Sequence, residues 1–294
     1  MPEDTGGAPI RSRPQPARLS PQALAAARGG VREGLDWLGR APESRAGILV
    51  RIVEGLARLV LFGVFRFRVA TSGREHLPDG GGYLAIAAIH RGWMDPFLIL
   101  HALPLEPRAW FLGSGPSAFS SRWREWFLRR LGGMLPVWRG GVGVDQHVAS
   151  ARAVLANGGV FVLVPEGGVN GPPGGLATFR NGAALIALRT GAPIVPIALA
   201  GAHELYLGKR LASRILAPTS AKDLLGEAWD GTPQLPGSRE ELDLARVLTA
   251  RFAEILGPAV QELYPGTVDP PGRPRRLRQR LTWLLLSGSG RREG

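Results

Sequence analysis

The residues of this chain with the clearest chemical potential are a histidine and an aspartate separated by four positions, His90 and Asp95. They follow residues 83–89, an apolar run that is typical of a buried strand. Pro96 suits the first turn of a helix, where its missing N–H is not needed, so Asp95 is predicted to be the N-cap. A strand-end histidine whose Nδ1 is held by a carboxylate presents Nε2 as a general base. The alternative is an ordinary strand-end histidine beside a capping aspartate.

Three further blocks follow this pair along the chain. Residues 127–139 end in the letters L-P-V-W-R. A second buried-strand pattern, 159–164, leads directly into P-E-G-G at 165–168. A helical run opens at 179–184, and it is followed by G-A-P-I-V-P-I at 191–197.

Together with the block at His90, these segments resemble the glycerolipid acyltransferase superfamily, the lysophosphatidate-type O-acyltransferases. The matching family blocks are H-x4-D, G-x-[IL]-P-V-x-R, P-E-G-T-R and V-P-[IV], and the resemblance covers roughly residues 66–205. It implies an α/β phospholipid/glycerol acyltransferase domain with a single open, mostly parallel sheet flanked by helices. It also implies transfer of a fatty acyl group from acyl-CoA or acyl-ACP to a lipid hydroxyl, with no cofactor and no metal.

Such a transfer requires an activated alcohol and a stabilised oxyanion, because the thioester carbonyl is already activated. The resemblance assigns catalysis to His90, which would take the proton of the acceptor hydroxyl, and to Asp95, which would orient the imidazole. No enzyme nucleophile is required, and the serines at 114–121 lack the G-x-S-x-G setting of serine hydrolases. The alternative from another class is a non-catalytic, basic membrane-binding module that kept the fold and lost the chemistry.

The resemblance also implies five substrate-binding residues, namely Arg139, Glu166, Gly167, Gly168 and Arg180. Glu166 would hold an acceptor hydroxyl, or it would bond only to nearby backbone N–H groups. The amides of Gly167 and Gly168 would serve the oxyanion or bind the acceptor. Arg139 would hold a phosphate of the acceptor or donor, or it would be one more surface arginine.

Two departures from the family pattern concern the acceptor. The family's P-E-G-T-R-S is P-E-G-G-V-N here, so Val169 replaces the arginine that binds the acceptor phosphate. The lysine common after the third strand is also absent, since residues 112–115 are L-G-S-G. Arg180, at a position usually basic in the family, could compensate. We therefore predict 1-acylglycerol-3-phosphate or a related lysolipid as acceptor, with a glycolipid, a carotenoid glycoside or an ornithine lipid as the alternative.

Composition limits the remaining possibilities. The 294 residues suffice for one large α/β domain with extensions, and the absence of cysteine excludes disulfides, thiolate nucleophiles and cysteine-based metal sites. The net charge of +12 comes almost wholly from arginine, because Lys209 and Lys222 are the only lysines. Arginine binds anionic headgroups and phosphates well, so nucleic acid, anionic membranes and phosphorylated substrates all stay open.

Four segments are predicted along the chain. Residues 1–45 are rich in Pro, Gly, Ala and Arg and are predicted to be largely disordered, without the apolar stretch of a signal peptide. Residues 46–65 are predicted to be an amphipathic, membrane-associating helix. Residues 66–265 are predicted to be the acyltransferase domain, and 266–294 a basic tail.

The segment 46–65 is apolar apart from a few charges. Arg51, Glu54 and Arg58 fall on one face of a helix and leave the broad remainder apolar. Such a helix lies in a membrane interface or docks on a protein core, and it is a poor spanning segment.

Basic and aromatic residues also occur together elsewhere. Five arginines within residues 273–280 precede a Trp/Leu segment, 281–286, which is typical of an anionic-lipid anchor, with a solvated tail as the alternative. The letters R-W-R-E-W-F at 122–127 are also compatible with single-stranded nucleic acid, but we favour lipid or acyl-chain contact within this acyltransferase-like region. We predict peripheral attachment to the cytoplasmic face of a membrane. The predicted partners are membrane lipids and acyl-CoA or acyl carrier protein, and no nucleic acid.

The central region alternates strand and helix patterns, which favours one open, mostly parallel α/β sheet. The predicted strands are 66–71, 83–89, 108–112, 133–138, 159–164 and 193–199. The predicted helices are 95–103, 117–131, 145–157, 178–190 and 239–264. Residues 206–237, which contain three prolines, are predicted to be an irregular insertion.

Overall fold

The computed structural model of the protein describes residues 42–114, 133–137, 144–168 and 171–270, and the single positions Leu128, Leu277 and Arg278. Several predicted features lie outside these residues. They include most of the N-terminal extension, the patch 122–127, the segment 281–286, Arg139 and Val169. Of the predicted helix 117–131, only Leu128 is described.

Seven strands of the described residues form one sheet in the order β1-β7-β6-β2-β5-β3-β4. They are β1 Arg68–Ser72, β2 Tyr83–Ala88, β3 Ala109–Ser114, β4 Met134–Val137, β5 Val160–Leu163, β6 Ile194–Ala200 and β7 Arg210–Ile215. Neighbouring strands are parallel except β6 and β7, which are antiparallel. The prediction of one open, mostly parallel sheet is confirmed.

Helices cover both faces of this sheet. Among the described residues they are α1 Ile48–Arg58, α2 Asp95–Ala102, α3 Val144–Ala156, α4 Gly182–Thr190, α5 Ala221–Leu225 and α6 Arg239–Thr267. A π-helical turn, Leu59–Val64, continues α1. One apolar cluster joins the sheet to α3, α4 and α6, and a second joins its other face to α2 and the π-helical turn. None of the helices in the described part of the chain has both the length and the apolar character that a membrane span requires.

The central strand β2 shows how the sheet positions polar residues. All six of its residues are buried, with Leu84 and Ile86 in the first cluster and Ala85 and Ala87 in the second. Strand β5 lies beside it in parallel, with Ile86 opposite Leu163. Residues that follow β2 and β5 therefore emerge together at the carboxyl edge of the sheet, where open α/β sheets bind ligands.

The prediction that residues 206–237 are irregular is wrong. They contain β7, α5 and a short 3₁₀ turn, and β7 lies inside the sheet between β1 and β6. The sequence does not predict this strand, because Ser213 and Arg214 interrupt its apolar pattern. Ser213 is nevertheless fully buried, and its hydroxyl shares a hydrogen bond of 2.9 Å with the hydroxyl of Thr71 on β1.

Helix α1 does not turn its apolar side towards the protein, as helices of soluble proteins usually do. Its charged side turns towards the protein, where Arg51 forms an ion pair with Glu106 and Arg58 donates to the carbonyl oxygen of Leu100 at 3.3 Å. Burial raises the pKa of Glu54 on this side. The opposite side of α1 and of the π-helical turn, here called the outer apolar face, is exposed and consists of Ile48, Leu49, Ile52, Leu56, Leu59, Val60 and Val64.

Candidate active site

The predicted histidine and aspartate meet at the carboxyl edge of the sheet. His90 follows β2, Asp95 is the first residue of α2, and His90 Nδ1 lies 2.9 Å from Asp95 Oδ2. The Asp95 side chain is 1% exposed, whereas the His90 side chain is 26% exposed. Since Nδ1 faces the carboxylate, Nε2 is the nitrogen that an external group can reach.

Asp95 is not the N-cap of α2, contrary to the prediction. Met94 occupies the cap position, and no side chain bonds to the first turn. Asp95 Oδ2 instead accepts hydrogen bonds from the backbone N–H groups of Arg91 at 2.5 Å and Gly92 at 2.8 Å. The carboxylate points back into the preceding turn because these two backbone N–H groups of the turn face it. Asp95 therefore fixes the loop that carries His90.

Glu166 joins the same loop from the neighbouring strand. Its Oε2 accepts from the His90 backbone N–H at 2.8 Å and from Arg91 Nη1 at 2.7 Å, and its Oε1 accepts from the Ala177 N–H at 3.0 Å. The Glu166 side chain is 0% exposed. These contacts correspond to the alternative in which Glu166 bonds within the protein, and binding of an acceptor hydroxyl by Glu166 stays a prediction.

Arg91 is a member of the site that the sequence analysis does not identify. Its side chain is 5% exposed and ion-pairs with Glu166. Its guanidinium also donates to the carbonyl oxygens of His90 at 2.9 Å and Gly175 at 2.5 Å. Only its place between His90 and Asp95 could have drawn attention to it, since no sequence spacing predicts contact with a loop more than eighty residues away.

The turn after β5 brings together three more predicted residues. Gly167 has a φ of +61°, and its N–H donates to the Val164 carbonyl oxygen at 3.1 Å. That amide is thus used within the turn, whereas the Gly168 N–H has no hydrogen-bond partner among the described residues. A Cβ on Gly167 would lie 2.8 Å from Arg180 Cδ, so the exposed Arg180 side chain crosses this glycine. The structure therefore places Gly167, Gly168 and Arg180 beside the His90 loop.

Arg139 and Val169 lie outside the described residues, so their predicted roles stay predictions. Within the described part of the chain, no cluster of three or more His, Asp or Glu side chains is arranged to hold a metal ion.

A cavity lined in part by charged side chains lies away from His90. It has a volume of about 500 Å³ and is lined by residues of α3, the end of α4, and the segment before α6. Arg189 and Glu241 form a two-fold ion pair there at 2.6 and 2.7 Å, and this guanidinium lowers the pKa of Glu241. Because α4 ends at Thr190 and leads into the start of β6, the cavity lies at the amino edge of the sheet, opposite the His90 site.

Comparison with known proteins agrees with this geometry. Residues 68–200 match the family model described as Acyltransferase. A structural match is the crystal structure of the 1-acyl-sn-glycerophosphate (LPA) acyltransferase PlsC from Thermotoga maritima, with a TM-score of 0.52 and 22% sequence identity over 73% of this chain and 79% of that chain. At this identity the likeness establishes the fold.

Residues 68–200 are an acyltransferase domain. The first third of this domain contains the His90 loop, and the last third contains the turn at Glu166. The family match over residues 68–200 and the similarity of the fold to PlsC support the resemblance to the glycerolipid acyltransferase superfamily that the sequence indicates.

Proposed function

We propose that the protein is an O-acyltransferase that moves a fatty acyl group from an acyl-CoA or acyl-ACP thioester to a lipid hydroxyl. The observation that carries the proposal is the 2.9 Å contact between His90 Nδ1 and Asp95 Oδ2 at the carboxyl edge of an acyltransferase domain. No cofactor is required, since the thioester is itself a substrate.

In this mechanism His90 is the general base. Its Nε2 accepts the proton of the acceptor hydroxyl while the hydroxyl oxygen attacks the thioester carbonyl carbon. Asp95 accepts the Nδ1–H and favours the imidazolium that forms. The tetrahedral oxyanion then collapses, the C–S bond breaks, and the departing thiolate takes the proton from Nε2. The products are the ester and free CoA or carrier-protein thiol.

Substrate binding is assigned to the turn after β5 and to two arginines. The Gly168 N–H is the backbone donor that the turn leaves for an oxyanion, while the Gly167 N–H keeps the turn closed. Arg180 is exposed beside Gly167 and supplies a cation for an acceptor phosphate in place of the arginine that Val169 replaces. Arg139 is proposed as a second phosphate ligand. These assignments favour 1-acylglycerol-3-phosphate or a related lysolipid as acceptor.

The reaction class and the acceptor are tested together with labelled acyl-CoA and acyl-ACP and a panel of phosphorylated and uncharged lipid acceptors. We expect label transfer to 1-acylglycerol-3-phosphate, and we expect Arg180→Gln to raise the KM for this acceptor about tenfold, because a charge-assisted hydrogen bond is lost. The KM for an uncharged acceptor should not change. Arg239→Gln, on an arginine whose side chain is 92% exposed, is the control.

Three outcomes would contradict parts of this proposal. No transfer from either donor to any acceptor would favour a membrane-binding module without catalysis. Transfer only to a glycolipid would leave the acyltransferase intact and refute the phosphorylated acceptor. Equal changes in KM for both acceptor classes would remove Arg180 as a phosphate ligand.

We further propose that the outer apolar face attaches the protein peripherally to the cytoplasmic face of a membrane, where thioester donors are found. A helix that turns its charges towards the protein and its large apolar side chains outward is suited to an interface with lipid. Among these side chains Ile48 is 79% exposed and Leu59 is 64% exposed. The arginine excess of the chain adds attraction to anionic headgroups.

Membrane attachment is tested by flotation with vesicles of phosphatidylglycerol and phosphatidylcholine. Replacing both Ile52 and Leu56 by glutamate should lower partitioning about tenfold or more, since two apolar side chains no longer enter the interface. Leu235→Glu with Val247→Glu, at exposed apolar positions outside this face, adds the same charge and should change partitioning much less. Equal losses in both pairs, or tight salt-sensitive binding to DNA or RNA without flotation, would refute the proposal.

A further inference from the structure

We propose that Arg91 and Glu166 form a positioning pair that holds the backbone of the general base, and that neither side chain binds substrate. This inference rests on the proposed function and specifies how its site is assembled. The two residues are on different segments of the chain, and each lies three positions after the end of its strand, β2 for Arg91 and β5 for Glu166.

His90 is held at three points by three different side chains. Its N–H donates to Glu166 Oε2 at 2.8 Å, and its carbonyl oxygen accepts from Arg91 Nη1 at 2.9 Å. Its Nδ1 lies 2.9 Å from Asp95 Oδ2. The Arg91–Glu166 pair therefore fixes the two peptide groups of His90, while Asp95 fixes the ring. Together they determine where Nε2 points.

The burial of the pair argues against a role in binding the acceptor. The Arg91 and Glu166 side chains are 5% and 0% exposed, and they are 2.7 Å apart. An ionised carboxylate accepts at about four positions, and three of those of Glu166 are used by His90, Arg91 and Ala177. An acceptor hydroxyl would have to displace one of these donors and open a buried ion pair, which is unfavourable in a low-dielectric interior.

Arg91 also reaches the loop that closes the other side of the site. Its Nη2 donates to the Gly175 carbonyl oxygen at 2.5 Å and lies 3.5 Å from that of Pro172. A Cβ on Gly171 would come within 2.7 Å of Nη2, so the loop wraps closely around the guanidinium. Glu166 binds the same loop at the Ala177 N–H. The pair thus connects the His90 turn to the segment that leads to Arg180.

The test measures kcat and KM for Arg91→Lys, Glu166→Gln and the double variant. A small displacement of a catalytic group costs about 100-fold in rate, so we expect kcat to fall about 10- to 100-fold in each single variant. The acceptor KM should stay within about twofold, because these side chains do not touch the acceptor. The double variant should lose little more than the worse single variant, since both substitutions open one network. Arg91→Lys should keep more activity than Arg91→Gln, because lysine keeps the positive charge. It should stay below the parent protein, because lysine reaches fewer acceptors than arginine.

The Arg189–Glu241 pair provides a matched control at the opposite edge of the sheet. Its side chains are 12% and 2% exposed and are joined by similarly short hydrogen bonds. Arg189→Lys and Glu241→Gln should lower Tm as the site variants do, yet change kcat less than about twofold. Variants are compared at temperatures where circular dichroism shows equal folded fractions.

Two results would overturn the inference. A raised acceptor KM with unchanged kcat in Glu166→Gln would make Glu166 an acceptor ligand. Unchanged kcat in both site variants would leave the pair a purely structural element like Arg189–Glu241. Either result counts against this inference alone if the parent protein transfers label and His90→Ala does not. If the parent transfers no label, the proposed function fails, and the inference fails with it.

Discussion

His90→Ala is expected to lower kcat for acyl transfer about 10²- to 10⁴-fold, the typical contribution of a positioned general base. Without the imidazole the acceptor hydroxyl must lose its proton to water while it attacks the thioester. Donor and acceptor KM values should change little, because the ring is needed in the transition state rather than for ground-state binding. The measurement is steady-state transfer of labelled acyl groups at saturating donor, over a range of acceptor concentrations.

The control for this substitution is His76→Ala. His76 is also partly buried, and its Nδ1 lies 2.9 Å from the carbonyl oxygen of Ile215, at the other edge of the sheet. It should retain kcat within about twofold, since it is remote from the reacting atoms. If His90→Ala transfers label as fast as the parent protein, His90 is not the base and the catalytic assignment is wrong.

The sequence was sufficient to locate His90 and Asp95, the proposed general base and its partner, because they follow a strand with a strong apolar pattern. Strands β2 and β5 are buried on both faces, so each is a continuous apolar run with an abrupt polar end. Parallel strands place those ends at one edge, which brings the segments at His90 and Glu166 together without knowledge of the rest of the fold.

Other parts depend on contacts that have no local pattern. Strand β7 carries Ser213 and Arg214 within its pattern, and its burial comes only from the neighbours on either side in the sheet. Arg91 is recognisable as part of the site only when the Gly175 loop closes around it. The direction of the Asp95 side chain is set by two backbone donors in the preceding turn rather than by the helix that follows.

The direction of the α1 faces is a fourth case. The periodicity of Arg51, Glu54 and Arg58 defines two faces, but it does not say which face meets the protein. Glu106 and the Leu100 carbonyl oxygen provide polar partners on the side of α2, so the charged face docks and the apolar face turns outward. Tertiary partners therefore decide an orientation that periodicity alone leaves open between a membrane interface and a protein core.

The second large effect is expected for Asp95→Asn, which should lower kcat about 10²- to 10⁴-fold while keeping the shape of the loop. The amide oxygen of asparagine can still accept from the N–H groups of Arg91 and Gly92, which lie 2.5 and 2.8 Å from Oδ2. The same Oδ2 lies 2.9 Å from His90 Nδ1, so an amide oxygen in that position also keeps Nδ1 as the donor. What the substitution removes is the negative charge that favours the imidazolium formed in the transition state.

The tautomer separates a loss of charge from a loss of ring orientation. Nitrogen-15 NMR of the imidazole should show the proton on Nδ1 in both the parent protein and Asp95→Asn, although kcat falls in the variant. Asp223→Asn, which alters a carboxylate that accepts from the Ser220 hydroxyl at 2.6 Å in α5, should change neither measurement. A variant that switches tautomer but keeps full activity would show that Nε2 of His90 is not the proton acceptor. Full activity with an unchanged tautomer would show that the charge of Asp95 is not needed, and its role in favouring the imidazolium would be refuted.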